Sequence, residues 1–349
     1  MSYKYKTNCL KYSAVAIFML LFQGAFTQSS FSELDKMITE KQKIIGQDLV
    51  LIIAKKDSIV YQKAFGAFNA KTVAPVASCS KWLTAALIMQ LVDEGKLSLD
   101  DMVSKYLPIF ESYGKNYITI RHCLSHMTGI QSEPIRIVKL LEKKKFNSLE
   151  EEVNEFAKKE IQTNPGTEFR YSNIGLNIAG RIAEVVTKKK FDILIKQRLF
   201  NLLGMRQTTF STLDGSAVNP SGGAKSAAAD YTRFLQMMLN NGIFNGQKIL
   251  SEAAVQEMKK LHTSLDKIKY APKSAEGFQY ALGSWVLEEN NGRVVALASP
   301  GLFGTWPMVD YCRGYSAIFF VKNFLGEQKA DIYLEMKKLI DGQFKSNCK

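Results

Sequence analysis

Ser78 and Lys81 stand three residues apart in Val76-Ala77-Ser78-Cys79-Ser80-Lys81-Trp82-Leu83. On a helix that spacing brings two side chains onto one face. A serine hydroxyl is a weak nucleophile unless a neighbouring base takes its proton. A lysine serves if burial keeps it neutral, or if its charge steadies a proton relay. Spacing alone says little, because it recurs at Ser112/Lys115, Ser264/Lys267 and Ser346/Lys349. Only the first pair heads a long apolar helix, with Ser78 on its first turn, running through Leu83, Leu87, Ile88 and Leu91 to Val92. Cys79 is a rival nucleophile, but it points about 100° away from the Ser78–Lys81 face.

A second group with proton-moving chemistry is Tyr171-Ser172-Asn173, the sole Y-x-N in the chain. It follows a Pro165-Gly166 turn and precedes a helical pattern, so both side chains can face a cleft. A phenolate is favoured beside an ionised lysine and can shuttle protons for a serine. Asn173 can hydrogen-bond Lys81 or a substrate amide. Other chemistries drop out by inventory: the chain has no H-E-x-x-H, no G-x-S-x-G, no Walker loop and no dinucleotide fingerprint. Its three histidines are His122, His126 and His262. The i,i+4 pair His122/His126 lacks a third, acidic ligand nearby, which favours packing or helix capping over metal binding. The inventory implies no metal and no organic cofactor.

These groups must be positioned by the surrounding elements. Ser32 to Lys43 is an amphipathic helix, and Asp48 to Ala54 and Ser58 to Phe65 form a hairpin across Lys55-Lys56-Asp57. The Ser78 helix runs to about Gly95, and Thr119 caps another that Gly129 stops. Ser148 with Glu151 makes a capping box. Helices follow over about 174–187, 191–203, 228–240 and 251–261. Then strands return: 280–287 and 293–298 joined by Asn290-Asn291-Gly292, 304–310 and 314–321, with a closing helix over 327–344. Strands at both ends and helices between them imply an α/β (α+β) two-lobed fold. An antiparallel sheet built from the N- and C-terminal segments, flanked by helices, would carry an inserted all-α lobe. The α/β lobe spans about 28–77 plus 275–345 and the helical lobe about 78–274, in one domain of 28–345. The Ser78 helix begins where the lobes meet, the usual place for a cleft.

The first residues read as a secretory signal: Lys4, Lys6 and Lys11, then an uncharged apolar core over 12–26, and small residues suited to a cut before Gln28. That core is too short for a comfortable span, so the expectation is an exported, periplasmic or extracellular protein with no stable membrane span. The formal charge of +13 falls to +10 without those three lysines. A lysine-rich surface explains it; the runs 143–145 and 188–190 lack interleaved aromatics, so no nucleic-acid partner is implied. Cys79, Cys123, Cys312 and Cys348 fit neither a zinc site nor a redox pair. An oxidising compartment permits a disulfide without indicating which pair.

Ser78-x-x-Lys81 followed by Tyr171-x-Asn173 resembles the serine β-lactamase and penicillin-binding-protein superfamily, closest to its class C β-lactamase and esterase branch. The resemblance runs from about Leu49 to Val321. It includes Leu91-Val92-Asp93-Glu94-Gly95-Lys96-Leu97, Leu124-Ser125-His126-Met127-Thr128-Gly129, Asn164-Pro165-Gly166-Thr167, Leu203-Gly204-Met205 and Gly222-Gly223. It implies that Ser78 is acylated, that Lys81 and Tyr171 share acid/base work, and that Asn173 positions substrate. The oxyanion hole would use the Ser78 N–H and one from the strand after the third motif, near Leu302.

That third motif departs from its relatives. Where they carry Lys-x-Gly or His-x-Gly, this chain has Ser299-Pro300-Gly301. Gly301 keeps a close backbone approach, but the cation is lost and Pro300 removes a donor. A charged contact to a substrate carboxylate would contribute about 1.5–3 kcal/mol. The expectation is therefore an exported serine hydrolase acting on an ester or amide with an uncharged acyl group, on a small-molecule or peptide acyl substrate, cell-wall-derived ones included. Arg293 or Arg313 could restore the charge from elsewhere. The alternative is a penicillin-binding-like protein with little turnover, serving in binding or sensing. Loops 131–145 and 261–277 would set specificity.

Overall fold

A computed structural model describes residues 31–133, 146–323 and 330–348. The expected signal segment 1–27, most of the loop 131–145 and the start of the expected closing helix lie outside the described residues. Seven strands form one sheet: β1 (Leu49–Lys55), β2 (Ser58–Phe65), β3 (Gln279–Tyr280), β4 (Trp285–Asn290), β5 (Arg293–Ala298), β6 (Trp306–Asp310) and β7 (Tyr315–Val321). Their order is β2-β1-β7-β6-β5-β4-β3, antiparallel throughout. The N-terminal hairpin thus joins the C-terminal strands through β1 and β7, with Leu49 opposite Val321 and Ala54 opposite Ser316. Between β4 and β5, Asn291 (φ 51°) and Gly292 (φ 76°) make the two-residue turn, where both residues need the left-handed region.

The helices that frame the site are α1 (Ser32–Ile45), α2 (Ser80–Asp93), α3 (Ile120–Leu124), α4 (Leu149–Lys158), α5 (Ile174–Thr187), α6 (Ala228–Leu239), α7 (Glu252–Lys259) and α8 (Asp331–Asp341). Side chains of β1 and β7 alternate between two cores. Leu49, Leu51, Ile53, Phe319 and Val321 pack with Leu34 and Ile38 of α1 and Tyr333, Met336 and Ile340 of α8. Val50, Ile52, Ile318 and Phe320 face the larger core, which holds the apolar residues of α2, α5 and α6. Coverage of both faces is why β1 and β7 read as unbroken apolar runs rather than alternating ones. Helix α2 is buried from Ser80 to Leu91, as expected for a helix apolar on every side.

Three expected elements differ. The strand expected over 280–287 is broken at 281–284 into the separate strands β3 and β4. The helix capped by Thr119 ends at Leu124, not Gly129, because the chain turns back at His126, whose φ is 58°. His122 instead closes a capping box with Thr119. Ser78 lies not on an α-helical turn but in a 3-10 turn, Ala77–Cys79, that feeds α2. Cys312 and Cys348 form a disulfide that ties the tail to the β6–β7 turn, while Cys79 and Cys123 are free and buried. Among the described residues no helix is long and apolar enough to cross a membrane.

Behind the sheet, the Lys337 ammonium of α8 lies 2.6 Å from Glu288, 2.9 Å from Asp310 and 2.9 Å from Asp341. Arg313 shares Asp310 and Glu288 at 2.8 and 3.1 Å. Removing the buried cation strands carboxylates in a low-dielectric setting. Lys337→Met is expected to cost about 3–5 kcal/mol of unfolding free energy, measured by denaturant titration; a loss below about 1 kcal/mol would show the cluster to be solvated.

Candidate active site

Three remote segments meet at one nitrogen. The Lys81 Nζ is 3.3 Å from Ser78 Oγ, 3.1 Å from Asn173 Oδ1 and 2.8 Å from the Ser221 carbonyl oxygen. Lys81 has no exposed surface. A buried amine without such partners would be costly, so its position is tightly determined. Ser78 is brought to it by the Ala77 turn, where a non-glycine φ of 45° kinks the chain just before the nucleophile. Strain of this kind collects at functional sites.

The Ser221 carbonyl has no signature in a sequence, yet its placement is heavily supported. Ser221 N–H donates to Asn177 Oδ1 at 3.0 Å, and Asn177 Nδ2 donates to Glu152 at 3.0 Å. Thr84 Oγ1 donates to Pro220 O at 2.6 Å, and Ala224 N–H donates to Ser80 Oγ at 3.0 Å. Both bonds strap the 220–224 turn to α2. Tyr231 Oη donates to Cys79 O at 2.7 Å from α6. The Gly222-Gly223 pair is the one sequence signal that this turn matters.

Tyr171 lies beside these groups, with Lys81 Nζ 4.7 Å from its ring centroid. Burial pushes its hydroxyl well above the usual tyrosine range, against hydrogen bonds with Ser78 and Trp285 that favour the anion. The expected stable phenolate is therefore not the resting form: loss of water outweighs the nearby groups. Its ring sits among His126 (4.5 Å), Trp285 (5.2 Å) and Tyr280 (6.1 Å). Cys79 drops out as a nucleophile. Burial pushes its thiol up, and its Sγ faces Thr305 O at 3.6 Å.

The third motif follows β5 directly. Ser299 Oγ lies 3.4 Å from Ser78 O and 3.3 Å from Gly283 O, so its hydroxyl is spent on the chain's own backbone. Gly301 is required by proximity: a Cβ there would lie 2.4 Å from Val76 O and 3.0 Å from Cys79 Sγ. The close approach is to the nucleophile turn itself. Leu302 sits in the turn between β5 and β6, not on a strand. Gly301 N–H already donates to Thr305 O at 2.8 Å. Neither arginine restores the missing cation. Arg313 is held in the α8 cluster, and Arg293 starts β5 at the hairpin, about 20 Å along the strand from Ser299.

This sheet, flanked by helices and with a Ser/Lys/Tyr/Asn cluster at the junction, is the β-lactamase fold. The beta-lactamase family model matches residues 34–338, and the chain belongs to that family. A putative beta-lactamase from Bacteroides dorei DSM 17855 is 30% identical and superposes with a TM-score of 0.78 over 90% of this chain and 99% of its own. EstCE1, a hydrolase with promiscuous acyltransferase activity, shares the fold at 20% identity and a TM-score of 0.75, over 90% and 98%. A putative D-alanyl-D-alanine carboxypeptidase of Salmonella typhimurium is 28% identical over 214 residues. That match takes in 55% of this chain, and the chain spans about half the length of the curated relative (50%).

Because Val76 O and Cys79 move with Ser78, Gly301→Ala is expected to lower stability by about 1–3 kcal/mol and to slow reaction at Ser78. Chemical denaturation beside active-site labelling checks both, and a stable variant that labels normally would contradict the packing described.

Proposed function

We propose that the chain is an exported serine hydrolase that forms an acyl-enzyme on Ser78 and cleaves esters or amides with uncharged acyl groups. The observation that carries this reading is the contact set of Lys81. Ser221 O and Asn173 Oδ1 can only accept, so they take two N–H hydrogens. Ser78 is the third of these neighbours, and its hydroxyl can donate to the amine lone pair. In that arrangement Lys81 takes the Ser78 proton as Oγ attacks the acyl carbon. Tyr171, kept protonated by burial, suits the opposite role. Its hydroxyl gives a proton to the leaving group and regains one from the Lys81 ammonium. Asn173 holds Lys81 and the substrate. The Ser78 N–H and the Leu302 N–H serve as oxyanion donors, each contributing about 3 kcal/mol to the transition state. Water then releases the acyl group by the reverse proton route.

Substrate preference follows from the third motif. With Ser299 turned to the backbone, Arg313 held by Asp310 and Glu288 and Arg293 at the far end of β5, no cation on this motif is poised for a substrate carboxylate. That favours esters and neutral amides over penicillins and D-alanyl peptides, although the carboxypeptidase relatives keep a cell-wall peptide as a substrate class to assay. The Cys312–Cys348 disulfide supports export, since such bonds persist in oxidising compartments. The N-terminal segment 1–27 would be its signal.

A panel of p-nitrophenyl esters, a D-alanyl-D-alanine peptide and a chromogenic cephalosporin tests the reading. The expected result is ester turnover abolished by Ser78→Ala, with kcat/KM for the two carboxylate substrates about 10–100-fold lower, the worth of a lost charged contact. Ester turnover that survives Ser78→Ala, or faster turnover of the peptide, would overturn it.

A further inference from the structure

His126 is absent from the proton transfers above, yet it holds the tyrosine that makes them. Its carbonyl oxygen accepts from Arg170 N–H at 3.1 Å, and its ring Nδ1 accepts from Ser172 N–H at 3.4 Å. One residue thus grips the backbone on both sides of Tyr171. The ring also packs on the Tyr171 ring, 4.5 Å between centroids, and Phe169 and Tyr280 close around it at 5.5 and 4.9 Å. Its Nε2 is 3.1 Å from Tyr280 Oη.

These contacts determine the tautomer. A backbone N–H can only donate, so Nδ1 must carry no hydrogen. The ring proton then resides on Nε2 and is donated to Tyr280 Oη. A doubly protonated ring would lose the Ser172 bond. Burial holds the imidazole well below its usual range and hence neutral. Of the titratable groups in contact with the ring, Tyr171 and Tyr280 are themselves pushed up by burial, so no anion is poised to favour imidazolium. The left-handed φ of 58° at His126 is an uncommon conformation for a residue with a side chain. Here it lets carbonyl and ring reach the backbone on either side of Tyr171.

We infer that His126 is a positioning residue: its neutral, Nε2-protonated imidazole sets the place and tilt of Tyr171 toward Ser78 through Ser172 and Tyr280. The inference rests on the acyl-enzyme reading above. Simple packing would make His126 matter for stability alone. Positioning makes it matter for the rate of serine attack, where a misplacement of about 1 Å can cost about 100-fold.

The test is the kinetics of fluorophosphonate labelling of the full chain, which separates the labelling rate constant from reversible affinity. Wild type should label at Ser78 and Ser78→Ala should not; failure there sinks the hydrolase reading, whatever His126 does. Given that labelling, His126→Ala is expected to slow the rate constant about 100-fold at unchanged affinity. His126→Asn, which tolerates positive φ and places an acceptor near the Nδ1 position, should recover at least about tenfold of that loss. A wild-type rate in His126→Ala, a loss confined to affinity, or no recovery in His126→Asn would overturn the inference. If His126→Ala does not fold, Tyr280→Phe carries the test: it removes only the Nε2 partner and should slow labelling about fivefold, and an unchanged rate would count against the role.

Discussion

A buried lysine has to be kept in place for this site to exist. Lys81 Nζ meets Ser78 Oγ, Asn173 Oδ1 and the Ser221 carbonyl, in a core where an unpartnered amine would not be tolerated. Each partner comes from a different part of the chain, and each is braced by its own scaffold. The Ala77 turn and Gly301 determine Ser78; the His126 grip determines the segment that leads to Asn173; Asn177, Glu152 and Thr84 determine the 220–224 turn. The sheet of terminal strands brings β5 to the nucleophile, and the helices supply the rest. A fold of this size serves a small polar constellation because precise placement is what gives such groups their rate.

Much of this architecture is legible in residues. The apolar run over 49–54 and those over 315–321 are β-branched and aromatic, and Asn291-Gly292 suits a two-residue turn. Ser148 and Ser251 announce helix starts that the structure keeps, accepting from Glu151 N at 3.1 Å and Ala254 N at 3.0 Å. Helix α5 runs over 174–187 as its pattern implies. The helix after Thr119 is shorter than its pattern suggests, because the His126 reversal is a tertiary demand that propensity does not register.

The site is legible only in its side-chain half. Ser78, Lys81, Tyr171 and Asn173 carry recognisable types and spacings. The Ser221 carbonyl does not, since a backbone oxygen has no residue identity. The same limit applies to Gly301, whose reason for being glycine is Val76 O, far away in sequence. The protonation of Tyr171 is equally invisible in sequence: Lys81 alone suggests a phenolate, whereas His126, Trp285 and Tyr280 create the burial that reverses it. Four cysteines allow several pairings, and only the fold brings Cys312 to Cys348.

Everything proposed for this protein passes through a covalent intermediate on Ser78. Intact-mass spectrometry of the protein quenched during turnover of a p-nitrophenyl ester, followed by peptide mapping, would detect it. The expected result is a mass gain equal to the acyl group, localised to the peptide containing Ser78 and absent in Ser78→Ala. Turnover with no adduct at any quench time, or an adduct on Cys79 or Tyr171, would rule the intermediate out.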